Sequence, residues 1–309
     1  VYQAEAKFLR ALAYFNLVRL YGDVPKVVER LDDPNQAIGI GRTSIDEIYS
    51  SVIIPDLEAA IAGCLKKDDV GLQGEEARAT KGAAMTILGK VHLTMNNPTQ
   101  AEAVLKRLIV DKEAGNYSLL NDFDAIHKPD NKFNDESIFE INYNATLGQP
   151  NFLFKWMTNE NGYLYGIASG GGPIVMFNFM QEFVEDNDWI DEPDWTRYNT
   201  TLDSGKLEGG SPELQPWPKK FTPETSTLAQ YNITGTDFNY MVTRHADALL
   251  MYGEALVANN KASEALPYFN RVRERAGLKG LTVDQLDIEQ ILHERRVELA
   301  FEGHRFFDL

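Results

Sequence analysis

Several short stretches approach catalytic or metal-binding signatures, and each lacks a member the chemistry needs. His293-Glu294 begins like the zinc-protease helix, but Val297 stands where the second histidine ligand belongs. Ser169, in Gly166-Ile167-Ala168-Ser169-Gly170, has no glycine two residues before it, so the tight turn of a nucleophile elbow is not encoded. Gly170-Gly171-Gly172 is followed by Pro173 and has no Lys-Ser/Thr to hold a phosphate, which leaves a turn. Asp186, Asp188, Asp191 and Asp194 could surround a cation, but Ile190 and Asp191 break the calcium-loop spacing. They read as a solvated acidic loop, and no metal or other cofactor is expected. Glycoside hydrolysis needs only two carboxylates at a suitable separation; among 46 acidic residues the sequence singles out no pair.

With 309 residues, 43% hydrophobic and 25% charged, the chain can fill a sizeable core. The formal net charge of −16 disfavours nucleic acid and anionic membrane surfaces, both of which attract Lys/Arg patches. Cys64 is the sole cysteine, so no intrachain disulfide can form, and it reads as a small buried hydrophobe. No apolar run nears the ~20 residues of a membrane-spanning helix. Val1 is not a start methionine and the helical pattern is already running there, so the natural precursor is expected to begin earlier.

The elements that would carry a site are mostly helical. Phe8, Ala11, Leu12, Phe15 and Val18 share one face of a first helix stopped by Gly22, with Pro25 beyond. A second helix is predicted from a Thr43 or Ser44 cap to about Ile61, kinked at Pro55. Residues 84–109 and 248–273 then follow one plan. Gly89 precedes Ala101 by twelve residues and Leu105 by sixteen; Gly253, Ala265 and Phe269 repeat that spacing. This is the plan of a tetratricopeptide helix pair, in which a small residue on the first helix lets the second approach. Pro267 falls inside the second copy, at the cost of a backbone hydrogen bond unless that helix starts late. A last helix begins at Ile288. Between them, residues 111–240 lose periodicity and turn to Gly, Asn, Pro and aromatics, with one short helix over 174–185. All four tryptophans lie in this segment, and function concentrates in such inserts. The predicted organisation is a helical scaffold, 1–110 and 241–309, around a variable loop-rich insert, 111–240.

Two stretches resemble the SusD/RagB family. One is Ala4-Glu5-Ala6-Lys7-Phe8-Leu9-Arg10-Ala11 continuing to Leu20-Tyr21-Gly22-Asp23-Val24-Pro25. The other runs from His293-Glu294-Arg295-Arg296-Val297-Glu298-Leu299-Ala300-Phe301-Glu302-Gly303 to Phe307-Asp308-Leu309. Arg78-Ala79-Thr80-Lys81, Glu136-Ser137-Ile138-Phe139-Glu140-Ile141, Arg244-His245-Ala246-Asp247 and Asn270-Arg271-Val272-Arg273 match in the same order. The resemblance implies a mainly α, SusD-like fold of tetratricopeptide-type helix pairs carrying a loop-rich insert. It also implies a lipid-anchored protein on the outer membrane that binds oligosaccharides without catalysis and delivers them to a SusC-like TonB-dependent transporter.

These are framework motifs, and Glu294, Arg295, Arg296, Glu298 and Glu302 read as ion pairs fixing helix on helix. The sugar contacts must come from physical reasoning. A sugar offers a C–H face for an aromatic ring and hydroxyls for polar partners. That selects Trp156, Tyr163, Tyr165, Trp189, Trp195 and Trp217, with Asn159, Asn161 and Arg197 beside them; the competing reading for each aromatic is burial in the insert's own core. Two other functions stay open: a peptide-binding tetratricopeptide adaptor, and an all-helical glycoside hydrolase.

Overall fold

The structure, a computed structural model, describes residues 1–153, 177–184, 192–203, 217–221 and 235–309. Contacts divide the chain into two compact units, Val1–Asn116 and Tyr117–Leu309. The 241–309 helices therefore share a unit with the described residues between 117 and 240.

The first unit is a row of helices. α1 (Tyr2–Tyr21) buries Phe8, Ala11, Phe15 and Val18, and Gly22 ends it at φ 72°, a conformation that suits a residue without Cβ; beyond it the short strand β1 (Val24–Pro25) pairs with β2 (Arg42–Thr43). Ser44 caps α2 (Ile45–Ile48) by accepting the Glu47 N–H at 3.3 Å. The chain then widens into a π turn, Tyr49–Ile53, before α3 (Ile54–Gly63). Pro55 was expected to kink one continuous helix. The helical run does continue from Ile45 to Gly63, and the π turn stands just before Pro55, which takes the second position of α3. Thr80 caps α4 (Lys81–Thr94), which pairs with α5 (Pro98–Ile109). Two clasps tie this unit: Arg10 grips both oxygens of Asp56 at 2.6 and 2.8 Å, and Arg78 reaches Glu5 at 2.6 Å. Cys64 is buried at the end of α3, and burial pushes its thiol up to about 11.

In the second unit, β3 (Ser137–Ile141) pairs antiparallel with β6 (Tyr240–Arg244), a ribbon not anticipated from periodicity. Between them lie α6 (Phe177–Val184), α7 (Trp195–Thr201) and the two-residue strands β4 (Leu202–Asp203) and β5 (Trp217–Pro218), which pair with each other. α6 falls within the helix predicted over 174–185; α7 was not foreseen. β6 runs directly into α8 (His245–Ala258), which packs on α9 (Ala262–Arg275) and on α10 (Ile288–Glu298); a last turn, α11, spans Arg305–Asp308.

Both copies of the repeat are helix pairs. Their turns also match, with Asn96 and Asn260 at φ 54° and 61°, a left-handed conformation that asparagine tolerates. The two glycines differ in role. A Cβ on Gly89 would lie 2.7 Å from Leu105 Cγ, so this glycine is what lets α5 approach α4. A Cβ on Gly253 would meet Ile291 of α10 at an ordinary 3.8 Å. The expectation of close approach thus holds in the first copy and not in the second. Pro267 does lie inside α9, which does not start late. Pro267 and Ser263 are both exposed, so water can reach the carbonyl that loses its partner. Urea unfolding should accordingly separate the glycines. Gly89→Ala should cost about 1–3 kcal/mol through overpacking, while Gly253→Ala should be neutral or stabilising by up to about 1 kcal/mol. Equal losses at both positions would contradict this assignment.

Candidate functional site

The chemistry of the second unit gathers in one buried cluster of charge. Arg244, the residue where β6 becomes α8, is fully buried. It donates to Glu136 Oε1 at 2.6 Å, Glu298 Oε1 at 2.5 Å, and Glu302 Oε2 and Oε1 at 2.8 and 2.9 Å. Arg275 joins Glu136 at 3.0 Å and also pairs with Glu298. Arg197 donates to Glu294 Oε1 at 2.6 Å and Glu298 Oε2 at 3.1 Å, and pairs closely with Asp194. Arg273 reaches Glu294 Oε2 at 3.1 Å. Lys220 donates to Glu302 at 2.7 Å and to the carbonyls of Glu298 and Ala300, where the end of α10 leaves acceptors unpaired.

Five carboxylates (Glu136, Asp194, Glu294, Glu298, Glu302) therefore face five cations (Arg197, Lys220, Arg244, Arg273, Arg275). Such burial is tolerable only when charge is balanced and nearly every polar atom is bonded. Phe123 lies beneath the cations, its ring 5.0 Å from the Arg275 guanidinium carbon and 5.1 Å from Lys220 Nζ. Burial opposes ionisation of Glu298, yet Arg275, Arg244 and Arg197 together hold its carboxyl well below the usual carboxylate range.

The cluster joins residues of the 111–240 segment to α9 and α10, and at its edge it sets one candidate platform. Asp194 caps α7 by accepting the Arg197 N–H at 3.0 Å while its other oxygen pairs with the Arg197 side chain. Trp195, one residue into that clamped helix, is 54% exposed. Its ring meets Tyr198 edge to face at 5.6 Å; Tyr198 meets Phe183 at 6.0 Å, Phe183 meets Phe179 at 5.2 Å, and Phe179 meets Phe301 at 5.8 Å. A line of aromatic rings thus runs from solvent into the core.

Two of the nine predicted contacts have described side chains. Trp195 has the exposure a stacking platform requires. Arg197, expected to meet sugar hydroxyls, is 1% exposed and committed to three carboxylates. The structure gives it a positioning role. Trp156, Asn159, Asn161, Tyr163, Tyr165 and Trp189 lie outside the described residues, and for Trp217 only its backbone pairing in β5 is described. Of the four aspartates read as a solvated loop, Asp194 is instead buried, and the other three lie outside the described residues. Glu294, Arg295, Glu298 and Glu302 form the predicted ion pairs, Arg295 with Asp247 at 2.9 Å, and Arg296 pairs with Glu182. The roles of Asp194, Lys220 and Glu136 were missed. A sequence cue existed for the first: an aspartate three residues before an arginine can cap the helix and pair with it at once.

Beside the cluster, His293 faces Glu182 across a small cavity that Asp194, Arg197 and Glu294 also line. An open cleft of about 360 Å³ continues past His293 to Arg296, Arg305 and Asp308. No group of three or more metal-ligating side chains occurs among the described residues.

Comparison with known proteins agrees with this architecture. The SusD family model matches residues 135–309, and a second, described as starch-binding associating with outer membrane, matches residues 2–93. The chain belongs to the SusD family. SusD-like protein P2 of Formosa agariphila is 29% identical over 99% of this chain and 64% of its own length. A SusD-like protein of Bacteroides ovatus is 26% identical over 99% and 58%. The chain thus spans about three fifths of these relatives. Among solved structures, a laminarin binding SusD-like protein superposes with a TM-score of 0.80 at 27% identity, over 99% of this chain and 69% of that one. Surface glycan-binding protein A from Bacteroides uniformis gives 0.78 at 26%, over 100% and 65%.

Acid should weaken the unit through His293. Burial, reinforced by Arg197, Arg296 and Arg273 and opposed by Glu294, lowers its imidazole to about 4, against 6.5 when unfolded. Between those values the unfolded chain binds a proton that the folded protein does not, so stability falls as pH drops from about 7 to about 4. The loss from this residue is up to about 3 kcal/mol. Thermal melts across that range should show a shallower slope for His293→Phe than for the parent; parallel slopes would contradict the assignment.

Proposed function

We propose that this protein captures oligosaccharides at the outer surface of an outer membrane and hands them to a SusC-like TonB-dependent transporter, without turning them over. A lipid anchor on the full-length protein would hold it there. In this reading residues 1–110 and 241–309 are scaffold, and the 111–240 segment carries the ligand contacts. Trp156, Asn159, Asn161, Tyr163, Tyr165, Trp189, Trp195 and Trp217 remain the proposed contacts, while Arg197 holds the helix that presents Trp195.

The observation that carries the proposal is the exposed indole of Trp195 on a helix clamped from below. A large apolar ring kept in water is unfavourable unless something covers it, and a sugar C–H face does so while its hydroxyls stay solvated. The laminarin and surface glycan-binding relatives support a glycan as the ligand. Calorimetry with laminarin-derived oligosaccharides is the test. Trp195→Ala should weaken binding by about tenfold, from the loss of roughly 1 kcal/mol of stacking and some buried area. Phe306→Ala, which removes another exposed ring outside the segment, should leave binding unchanged. No reducing ends should be released. Unaltered affinity in Trp195→Ala, or turnover abolished by changing one carboxylate, would overturn the reading.

A further inference from the structure

α1 is apolar on two faces, and the packing of the first unit uses one of them. The inward face holds Phe8, Ala11, Phe15 and Val18. On the opposite side Tyr2, Ala6, Leu9, Ala13, Asn16 and Leu20 follow at intervals of four, three, four, three and four residues, with Leu17 beside them. All seven are exposed, Tyr2 by 75%, Leu9 by 54% and Leu20 by 51%. None of them is charged. The charged groups flanking that line are engaged inside the unit, Glu5 with Arg78 and Arg10 with Asp56. Arg19 lies over the Phe15 ring and bonds Asn16 at 2.5 Å.

That spacing is the heptad pattern of a helix–helix seam, here with small residues among large ones, so that a second helix can come close. The solvated face of a helix in a globular protein is ordinarily polar, and the same unit supplies the comparison. α1 packs on α3, α3 on α4 and α4 on α5, so α1 and α5 stand at the two ends of the row. α5 turns Thr99, Gln100, Ala103 and Lys106 to water, as the terminal helix of a stacked array must. α1 does not; its outer face is that of an inner helix. The relatives offer a source for the neighbour. SusD-like protein P2 of Formosa agariphila and the Bacteroides ovatus protein are matched over 64% and 58% of their own length, so more than a third of each lies outside the match. A stretch entering α1 from its N-terminal side can turn back along it through a short loop, as an antiparallel partner.

We propose that the outer face of α1 seats a capping helix, supplied by the stretch of the full-length protein that precedes Val1 and packed antiparallel along Tyr2–Leu20. At 1.5 Å per residue the seam is about 27 Å long, so the capping helix needs about five turns. It presents large apolar residues opposite Ala6 and Ala13 and small ones opposite Leu9 and Leu20, because facing side chains must interdigitate. A partner that comes and goes is steered by charge around an apolar centre. Here Glu5 and Arg10 are committed within the unit, which suits a permanent contact inside one chain.

The test is hydroxyl-radical footprinting, read by mass spectrometry, on the chain extended by its native upstream sequence and kept dilute enough to sediment as a monomer. Leu9, Leu17 and Leu20 should oxidise at least about tenfold more slowly than Ile38 and Val70, exposed aliphatic residues of the same unit away from the seam. In the 309-residue chain the five should oxidise at comparable rates. Leu9→Lys gives a second reading by urea unfolding. It should lower the folded-to-unfolded ratio of the extended chain by about tenfold or more, and that of the 309-residue chain by less than about twofold. Seam residues that oxidise as fast as Ile38 and Val70 in the extended chain would overturn the proposal. So would protection that grows with concentration alongside a dimer in sedimentation, which would make the occupant a second copy, or protection that appears only when a transporter is added.

Discussion

Electroneutrality in a buried space is the constraint on which the second unit depends. Each ion of the cluster would be costly to bury alone, and the effective penalty in a protein interior is several kcal/mol per charge. The cluster is tolerable because its carboxylates and cations match and are shared: Glu298 serves three arginines, and Arg244 serves three glutamates. Removing one member strands its partners, so loss of a single side chain typically costs more than the pair contributes. What such a network offers is specificity. In the observed register of helix and ribbon each guanidinium of the cluster meets a carboxylate, and a slip between them would strand charge.

That register explains where the candidate platform stands. The described residues of the 111–240 segment hold little regular structure to keep a side chain steady: a five-residue strand, short helices and a two-residue strand pair. Its anchors are Glu136, Arg197 and Lys220, each ending on α9, α10 or the turn beyond, with Asp194 holding Arg197 from within the segment. A loop region can vary widely in sequence and still present a stiff ring if a few charged groups pin it to a rigid helix pair. Trp195 combines both requirements, with its indole in water and its helix cap in the cluster.

Much of this was legible before any coordinates, and the pattern of what was not is physical. Helices with a one-sided apolar face declared themselves by period, as in α1, and so did both repeat pairs. The π turn ahead of Pro55 was not foreseen, because it is a local adjustment that propensity does not encode. The β3–β6 ribbon was missed because its strands are only five residues long and β3 is buried on both faces, which erases alternation there. Gly253 shared the spacing of Gly89 but not its contact, since spacing fixes the face of a helix and not the neighbour that covers it. Arg197 was the instructive error. An arginine amid aromatics and aspartates looks like a ligand contact, and only tertiary structure shows that Glu294 and Glu298, about a hundred residues on, claim it.

The central claim is that α7, with Trp195 at its start, is locked to α10 through buried charge and does not move as a free loop. Native-state amide hydrogen exchange measures this directly. The amides of Tyr198 and its neighbours in α7 should exchange only through the same large opening that releases the core amides of α10, with matching free energies and a matching response to denaturant. Exchange of α7 through a low-energy local opening, while α10 stays protected, would contradict the account.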